Sequence, residues 1–395
     1  MASEPTCSGA VPQAQTGPRP QVGGGAANFL IPASSRELPE DRGIRAHTNH
    51  IVLIPNNNMR IIGPSGLTPA QVAGAYDVTQ AGTGAIAIVD AYNYPSALDD
   101  FNTFSTEFGL PTETSSTVTD ATNQVLQVVY AGGSKPADDA SWSQEMALDI
   151  QWAHAMAPNA KIYLVEAASD NFTDIMHAVN VAKALTGVRQ VSMSFGGNES
   201  GCLYTAFNNY LVRNNVTFFA AAGDIAGGRE FPACSYNVVS VGGTSLNVNG
   251  IGVWISETAW DSTGCGPSTL EPRPVYQDDL YSTIGRYRGG VDIAAVADPN
   301  TGVSVYDSTP YQSQNGWLVI GGTSASTPIV AGIVNSSGIV FRNSQALNAK
   351  IYTGVGGANL HDITSGSSGG FNAGAGWDFP SGAGSPNGLA TLLGG

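Results

Sequence analysis

The chain has 395 residues, of which 42% are hydrophobic, so it is long enough to bury one large core. Only 12% of the residues are charged and the net charge is -15, which excludes the basic surface that binds nucleic acid or an anionic membrane. No apolar stretch approaches the ~20 residues of a membrane span. We therefore expect one main domain with an N-terminal extension, and neither nucleic acid nor membrane as a partner.

Residues 1–65 are predicted to form this extension. They are rich in Pro, Gly and Ala at the start, and residues 50–54, with the sequence HIVLI, favour a short strand. Residues 1–25 lack the basic start and the apolar centre of a signal peptide. Thr68 and Pro69 are a good N-cap and first-turn pair for a helix, so we expect the main domain to occupy residues 66–395.

Apolar runs that are typical of buried strands alternate with helical stretches along the main domain. The predicted strands cover residues 85–89, 162–165, 191–195, 217–221, 238–241 and 317–320. This order predicts a doubly wound α/β fold, with a mostly parallel sheet and helices on both of its faces.

A helix is predicted over residues 141–156, opened by a capping box of Ser141 and Gln144. Glu145 and Asp149 lie one turn apart on one face of it, while most of its remaining surface is apolar. Two interpretations are open. The carboxylates form a solvated stripe on an otherwise buried helix, or they share a proton and one of them acts as a base.

Residues 216–224 predict a strand that ends in a tight turn, with the Asp224 carboxylate at its tip. The cysteines of the main domain are Cys202, Cys234 and Cys265, so at most one disulfide can form within it. We expect a bridge between Cys202 and Cys234. The alternative for any of these residues is a buried free thiol.

Residues 321–328, with the sequence GGTSASTP, place Ser324 between a predicted strand and a helix predicted from residue 328. The amides of a helix N-terminus stabilise an oxyanion, so Ser324 is a candidate nucleophile. The alternative is a Gly/Ser/Thr-rich turn with a capping residue. No histidine lies in a His-Gly-Thr setting and Asp90 lacks an Asp-Ser/Thr-Gly sequel, so a histidine triad is not visible.

Residues 361–378, with the sequence HDITSGSSGGFNAGAGWD, contain two aspartates that bracket exposed backbone carbonyls. Hard oxygen ligands of this mixture suit Ca²⁺. The segment is not an EF-hand, because the alternating carboxylates and the terminal glutamate are missing. The alternative is a glycine-rich surface loop.

Together these segments resemble the sedolisins, or serine-carboxyl peptidases, a family with a subtilisin-like fold and a Ser-Glu-Asp triad. The resemblance runs from about residue 66 to the C-terminus, since AHAMAPNAKIYLVEA, VSMSFGG, DIAAVADPNTGVSVYD and GAGWD also resemble blocks of that family in the same order. It implies that Ser324 is the nucleophile, Glu145 its base, Asp149 the residue that orients and polarises the glutamate, and Asp224 the acid of the oxyanion hole.

The resemblance implies two further sets of residues. The substrate-binding strand would be formed by Ser194, Phe195, Gly196 and Gly197. One Ca²⁺ ion would be held by the carboxylates of Asp362 and Asp378, by the carbonyls of Ile363, Gly374 and Gly376, and by water.

The implied function is that of an acid-acting serine-carboxyl endopeptidase, a monomer that cleaves polypeptides outside the cell. A Glu/Asp pair still holds a usable base at pH ~3 to 5, where an imidazole is protonated. Two alternatives are open: a tripeptidyl aminopeptidase of the same family, and a catalytically silent relative that serves as a calcium-dependent binding protein. Sedolisins are normally made with a long folded pro-segment, for which we expect residues 1–65 to leave no room. Two interpretations are open: the full pro-segment lies outside this sequence and residues 1–65 are its remnant or a linker, or this short extension does its work.

Overall fold

The computed structural model describes residues 28–54 and 63–394. Its helices are α1 (Pro69–Ala75), α2 (Ala97–Glu107), α3 (Ala140–Met156), α4 (Phe172–Ala182), α5 (Gly201–Phe207), α6 (Tyr281–Ile284), α7 (Thr323–Ser336), α8 (Ser344–Tyr352) and α9 (Leu389–Leu393). Its strands are β1 (Asn28–Leu30), β2 (His47–Thr48), β3 (Ile51–Ile54), β4 (Ala85–Ala91), β5 (Leu126–Tyr130), β6 (Lys161–Ala167), β7 (Val188–Met193), β8 (Phe195–Asn198), β9 (Thr217–Ala221), β10 (Glu230–Phe231), β11 (Val239–Val248), β12 (Trp254–Ala259), β13 (Pro267–Pro272), β14 (Tyr287–Gly289), β15 (Ile293–Val296), β16 (Val303–Tyr311), β17 (Gln314–Gly321), β18 (Leu360–His361), β19 (Ser367–Ser368), β20 (Phe371–Asn372) and β21 (Ser385–Pro386).

The largest sheet forms the centre of the core. Its strand order is β12-β11-β9-β7-β4-β6-β5, and β15 also pairs with β11. These pairings are parallel except for that of β12 with β11. β4 is buried along its whole length, as expected of a parallel strand that is covered on both faces. The prediction of a mostly parallel α/β sheet is therefore confirmed.

The carboxyl ends of three neighbouring parallel strands bring polar side chains to one edge of this sheet. Asp90 lies at the end of β4, Ser194 directly follows β7, and Asp224 follows β9 after a turn. The helices α3 and α7 pack against each other and against β4 beside this edge. Open α/β sheets bind ligands at such an edge, so it is the first place to look for a site.

The strand predicted over residues 317–320 belongs to a different sheet from the one expected. It lies within β17, which pairs antiparallel with β16 and with β3 in a sheet of order β1-β3-β17-β16. A tight turn with positive φ at Gln312 (45°) and Ser313 (66°) joins β16 to β17. A parallel connection needs a long crossover, so this hairpin enforces the antiparallel pairing.

Of the two predicted helix N-caps, one is confirmed and the other is wrong. Thr68 caps α1 and forms a capping box with Gln71, as its position before Pro69 suggested. The capping box predicted for Ser141 and Gln144 is wrong, because α3 begins one residue earlier. Its N-cap is Asp139, whose carboxylate accepts from the amides of residues 141 and 142 and satisfies the free donors of the first turn.

The interpretation of α3 as a helix with a solvated stripe is also wrong. Every residue from Ser141 to Met156 is buried, and the relative exposure of Glu145 and of Asp149 is 0%. Two carboxylates one turn apart inside a core are expensive unless they are protonated or have partners. Their place in the fold therefore calls for a chemical explanation.

The predicted bridge between Cys202 and Cys234 is not formed. Cys202 is disulfide-bonded, whereas Cys234 and Cys265 are buried free thiols. Burial raises the pKa of both thiols, to about 12 for Cys265, so they stay protonated and behave as small apolar side chains. Among the residues that the structure describes, no helix has the length and apolarity needed to cross a bilayer.

Candidate active site

Ser324 lies at the strand-to-helix junction that the sequence predicted. It is the second residue of α7, and the positive φ of Gly322 (100°) provides the turn that leads from β17 into the helix. The helix begins at residue 323, five residues before the predicted start, with Pro328 inside it. Because Pro328 has no N–H, the Ser324 carbonyl lacks the usual helical donor, and it accepts from Ser194 Oγ over 3.4 Å.

Asp224 reaches the start of the same helix from β9. Its Oδ1 atom accepts hydrogen bonds from the amide and the hydroxyl of Thr323, both over 2.8 Å. Its Oδ2 atom has no hydrogen-bond partner within the described part of the chain and faces Gly322, where an added Cβ would lie 2.6 Å from it. Burial raises the pKa of Asp224 well above its usual range, so this buried group favours the neutral acid.

The carboxyl pair of α3 faces the same edge of the sheet. Ser194 Oγ donates to Asp149 Oδ1 over 2.8 Å and so links α3 to the residue after β7. Burial, and then the negative charges of Asp90 and Glu145, raise the pKa of Asp149 well above its ordinary value. A group of buried carboxyls holds its protons more tightly than isolated ones, and one carboxylate can remain as a base while its neighbour is neutral.

Asp90 is a member of this group that the sequence did not assign. It is fully buried, and both of its oxygens lack hydrogen-bond partners among residues 28–54 and 63–394. Burial, followed by the charges of Glu145 and Glu166, raises its pKa well above the usual range. The sequence did contain a signal, since an aspartate at the end of an apolar parallel strand lies where sites form.

A part of the N-terminal extension occupies the groove in front of these groups. β2 pairs antiparallel with β8, with His47 opposite Gly196 and Thr48 opposite Phe195. The next residue, Asn49, accepts a hydrogen bond from the Ser324 amide through its carbonyl oxygen over 2.9 Å. An added Cβ at residue 322 would lie 2.1 Å from that oxygen, so only glycine allows this close approach.

All four residues predicted to bind substrate lie beside this segment. The Ser194 carbonyl accepts from the Asn49 amide over 3.3 Å, and Gly197 would bring an added Cβ within 3.5 Å of the Arg45 carbonyl. Phe195 and Gly196 form the pairs already described. The strand thus pairs with an extended peptide, and its role with an external substrate stays a prediction.

His50 contacts the base that the resemblance implies. Its Nδ1 atom lies 2.5 Å from Glu145 Oε2, and both side chains are fully buried. Within the described ranges no hydrogen bond joins Glu145 to Ser324 Oγ, which donates to the Ser194 carbonyl over 3.1 Å. No motif around His50 predicts this contact, because it joins two residues that lie almost a hundred positions apart in the sequence.

The two aspartates of the predicted calcium loop come together on one side of it. Asp362 accepts from the Gly376 amide over 3.1 Å, and Asp378 accepts from the Gly374 amide over 2.9 Å. Burial, with a smaller contribution from the charge of Asp362, raises the pKa of Asp378 to about 6. Neighbouring carboxylates are ligands that a hard cation prefers, but these two accept hydrogen bonds from the amides of Gly374, Gly376 and Ser381. Ile363 is buried and follows Asp362 in the sequence.

Residues 28–54 and 63–394 contain no group of three or more His, Cys, Asp or Glu side chains that could hold a metal ion. The predicted ligand set contains only two carboxylates and depends on carbonyl oxygens for the rest. The calcium site therefore stays a prediction.

Comparisons with known proteins show the family and the fold. The subtilase family model matches residues 80–336. Sedolisin of Pseudomonas sp. (strain 101) is 27% identical, covering 81% of this chain and 60% of that protein. Kumamolisin of Bacillus sp. (strain MN-32) is 31% identical, covering 83% of this chain and 63% of the relative. Human tripeptidyl-peptidase 1 is 28% identical over 63% of this chain and 51% of its own length. The chain thus spans about three fifths, or less, of these relatives.

Solved structures confirm the subtilisin-like fold. Pseudomonas sedolisin, a serine-carboxyl proteinase solved with two molecules of pseudo-iodotyrostatin, superposes with a TM-score of 0.71 at 25% identity, covering 84% of this chain and 98% of that one. Fervidolysin of Fervidobacterium pennivorans, described as a keratinolytic enzyme related to subtilisin, gives a TM-score of 0.52 at 17% identity. It covers 87% of this chain and 50% of its own, and this likeness concerns the fold alone.

Proposed function

The chain belongs to the subtilase family and, within it, to the sedolisins, and we propose that it is an acid-acting serine-carboxyl endopeptidase. The observation that carries this proposal is the position of Asn49. Its carbonyl oxygen lies 2.9 Å from the Ser324 amide, where the carbonyl of a bond about to be cut would lie. A peptide of the chain itself supplies the template for a polypeptide substrate.

The chemical step uses the carboxyl pair in place of a histidine. Ser324 Oγ attacks the carbonyl carbon while Glu145 takes its proton, and Asp149 polarises Glu145. Ser194 holds Asp149 in place through its hydroxyl. The C–N bond breaks as Glu145 gives the proton to the leaving amine, and water then releases the acyl group from Ser324.

Asp224 supplies the second donor for the oxyanion. Since Oδ1 accepts two hydrogen bonds from Thr323, the proton of the neutral acid is carried by Oδ2. That atom and the Asn49 carbonyl both approach Gly322. A neutral carboxyl donates to the developing negative charge, whereas an ionised one would repel it, so this donor requires acid.

The course of the N-terminal segment favours cleavage within a chain over release of tripeptides. On the amino side of Asn49 the described chain continues back to residue 28, well beyond the three residues that a tripeptidyl-peptidase accommodates. The strand pairing of β2 with β8 carries this longer peptide through the groove. An endopeptidase must bind chain on both sides of the bond that it cuts, and this pairing supplies a place for the chain on the amino side.

The proposal includes one Ca²⁺ ion, held by the carboxylates of Asp362 and Asp378 and by the carbonyls of Ile363, Gly374 and Gly376. The ion would fix a glycine-rich loop and would offset the repulsion between the two carboxylates. It takes no part in the chemical step. Cleavage of polypeptides at acid pH suits a protein that is secreted, so the proposal includes an extracellular location. It also includes a monomeric state.

The test is digestion of a denatured protein at pH ~4 by the full chain, with Ser324→Ala as the matched control. We expect internal fragments from the parent and none from the variant. Tripeptides alone would support the aminopeptidase alternative. No products from either protein, with Ca²⁺ binding retained, would support the silent relative.

A further inference from the structure

The side chain of Asn49 enters a small pocket that ends in a buried carboxylate. Asn49 Nδ2 donates a hydrogen bond to Glu230 Oε2 over 3.0 Å. The same residue places its carbonyl at the Ser324 amide. In a peptidase, the pocket for the residue whose carbonyl is attacked decides which bonds are cut. The residues that form this pocket therefore determine the specificity of cleavage.

We call the pocket formed by Glu230, Gly196 and Gly223 the primary pocket. Glu230 lies on β10, which pairs with β8, and it is 3% exposed. An added Cβ at Gly196 would lie 2.2 Å from Glu230 Oε2, and one at Gly223 would lie 2.5 Å from Oε1. A side chain at either glycine would overlap the carboxylate, so both glycines leave the space that Glu230 fills.

Within the described part of the chain, the Glu230 carboxylate has two polar side-chain contacts, and both come from residues 47–49. His47 Nε2 lies 3.7 Å from Glu230 Oε1, in addition to the hydrogen bond from Asn49. Alternate residues of an extended strand point to the same side, which explains why residues 47 and 49 both reach Glu230. Burial raises the pKa of Glu230, while His47 and Asn49 favour its charged form. A buried acceptor without a hydrogen-bond partner raises the free energy of the protein. A bound peptide with a donor at the same place supplies the missing hydrogen bond.

We propose that Glu230 is a specificity-determining residue that selects peptides with asparagine at the position whose carbonyl faces Ser324. The inference rests on the proposed peptidase function. Leucine has a similar volume but no donor, so it would leave Glu230 buried without a partner and lower kcat/KM by about 10- to 100-fold. Aspartate would bring a second carboxyl into the primary pocket, where it has no amide donor for Glu230.

The first experiment uses the full chain and the octapeptide Ala-His-Thr-Asn-His-Ile-Val-Leu, which copies residues 46–53. Its partner has leucine in place of asparagine. At pH ~4 we expect cleavage after asparagine with a kcat/KM at least about 10-fold higher than for the leucine peptide. Equal values while both are cut would overturn the specificity and leave the peptidase function standing. No cleavage of either peptide or of denatured protein would overturn the peptidase function, and the inference with it.

Two substitutions separate a specificity role from a structural one. Glu230→Leu removes the acceptor and should bring the ratio of the two kcat/KM values to about 1 or below. Glu230→Gln keeps an acceptor oxygen and should keep the preference for asparagine. A purely structural role would lower both values equally and leave the ratio unchanged in Glu230→Leu, which would overturn the proposal. Should that variant fail to fold, the ratios of the parent for asparagine, leucine and aspartate peptides decide.

Discussion

The backbone of Asn49 makes two hydrogen bonds with Ser324. Its amide donates to Ser324 Oγ over 3.1 Å, and its carbonyl accepts from the Ser324 amide over 2.9 Å. The Ser324 hydroxyl donates to the Ser194 carbonyl, so its proton does not point to Glu145. His50 contacts the Glu145 carboxylate at the same time. The segment thus lies where the proposed substrate would lie, and it holds the proposed nucleophile and the proposed base apart from each other.

We expect the full chain to be latent when first placed in acid and to become active once its Asn49–His50 bond is cut. His50→Ala removes the contact with Glu145, so it should shorten the lag by about 10-fold, the effect of losing one polar contact worth ~1.4 kcal/mol. The measurement is the progress curve of peptide hydrolysis at pH ~4, together with the intact mass of the chain over time.

His177→Ala is the matched control for this prediction, since His177 is exposed on α4 and should leave the lag unchanged. Ser324→Ala should stay uncut. A parent that hydrolyses peptides at once while its own chain stays intact would contradict the latent arrangement.

The triad predicts two large losses of activity. Ser324→Ala and Glu145→Ala should each lower kcat/KM by ~10³-fold or more, because residues that act as a unit fail together. Glu107→Gln, at the exposed end of α2, should stay close to the parent. Melting curves recorded beside the kinetics separate lost chemistry from lost folding. Near-parent activity in Glu145→Ala would remove that residue from the mechanism.

The main sheet was predictable because its strands are buried on both faces and therefore read as apolar runs. An apolar run does not encode the direction of its neighbours, which is why residues 317–320 were assigned to the wrong sheet. The signal for the antiparallel pairing lies in the turn at Gln312 and Ser313. The two turn residues are glutamine and serine, whereas the usual hairpin signal, Asn-Gly, stands at Asn315-Gly316 inside β17, so the sequence does not locate the turn.

The site was predictable only where it follows from short motifs. Ser324, Asp224 and the pair on α3 were assigned by the resemblance, and the structure brings them to one edge of the sheet. The contacts of Asn49 with Glu230 and of His50 with Glu145 join distant parts of the chain. Neither spacing nor composition encodes such contacts, because tertiary pairing alone creates them.

Stability should fall as the pH rises, which is the reverse of common acid denaturation. Burial raises the pKa of Asp90 and Asp149 above the ordinary 3.8, and that of Glu166 to about 8. Between pH ~4 and those folded-state values the native state binds more protons than the unfolded one, so each such group costs up to ~1.4 kcal/mol of unfolding free energy per pH unit. Asp90→Asn removes one of these groups and should flatten the decline.

The measurement is urea unfolding of the parent and of Asp90→Asn from pH ~4 to 8. Asp99→Asn, on the exposed side of α2, should keep the slope of the parent. If the parent gains stability toward neutral pH, the carboxyl groups of Asp90, Asp149 and Glu166 are ionised and well solvated in the folded protein.

Calcium should stabilise the folded chain. The proposed ligands, Asp362, Asp378 and the loop carbonyls, are far apart in the unfolded chain, so Ca²⁺ at 100 times its dissociation constant would add about 2.7 kcal/mol to the free energy of unfolding. A chelator should lower the Tm of the parent and leave that of Asp362→Ala unchanged. Asp99→Ala should respond as the parent does. An identical Tm of the parent with and without chelator would eliminate the site.

The pH dependence of activity follows from the proton on Asp224. Burial raises the pKa of this group well above its usual range, so the acid is neutral at low pH and loses its proton as the pH rises. Loss of the proton removes a donor to the oxyanion and puts a negative charge beside it, so kcat/KM should fall on the alkaline side. At very low pH the carboxyl pair of α3 is fully protonated and no base remains, which gives a bell-shaped profile.

Asp224→Asn separates these two limbs, because asparagine donates from the same place and does not titrate. The variant should have a lower maximum, since a neutral amide is a weaker donor, but its alkaline limb should be shallower than that of the parent. The acidic limb belongs to the pair on α3 and should not move. The measurement is kcat/KM for one peptide from pH ~2 to 8 in both proteins, with folding checked at each pH. If the alkaline limbs coincide, another group controls the loss of activity, and a parent optimum near pH 8 would mean that a histidine serves as the base.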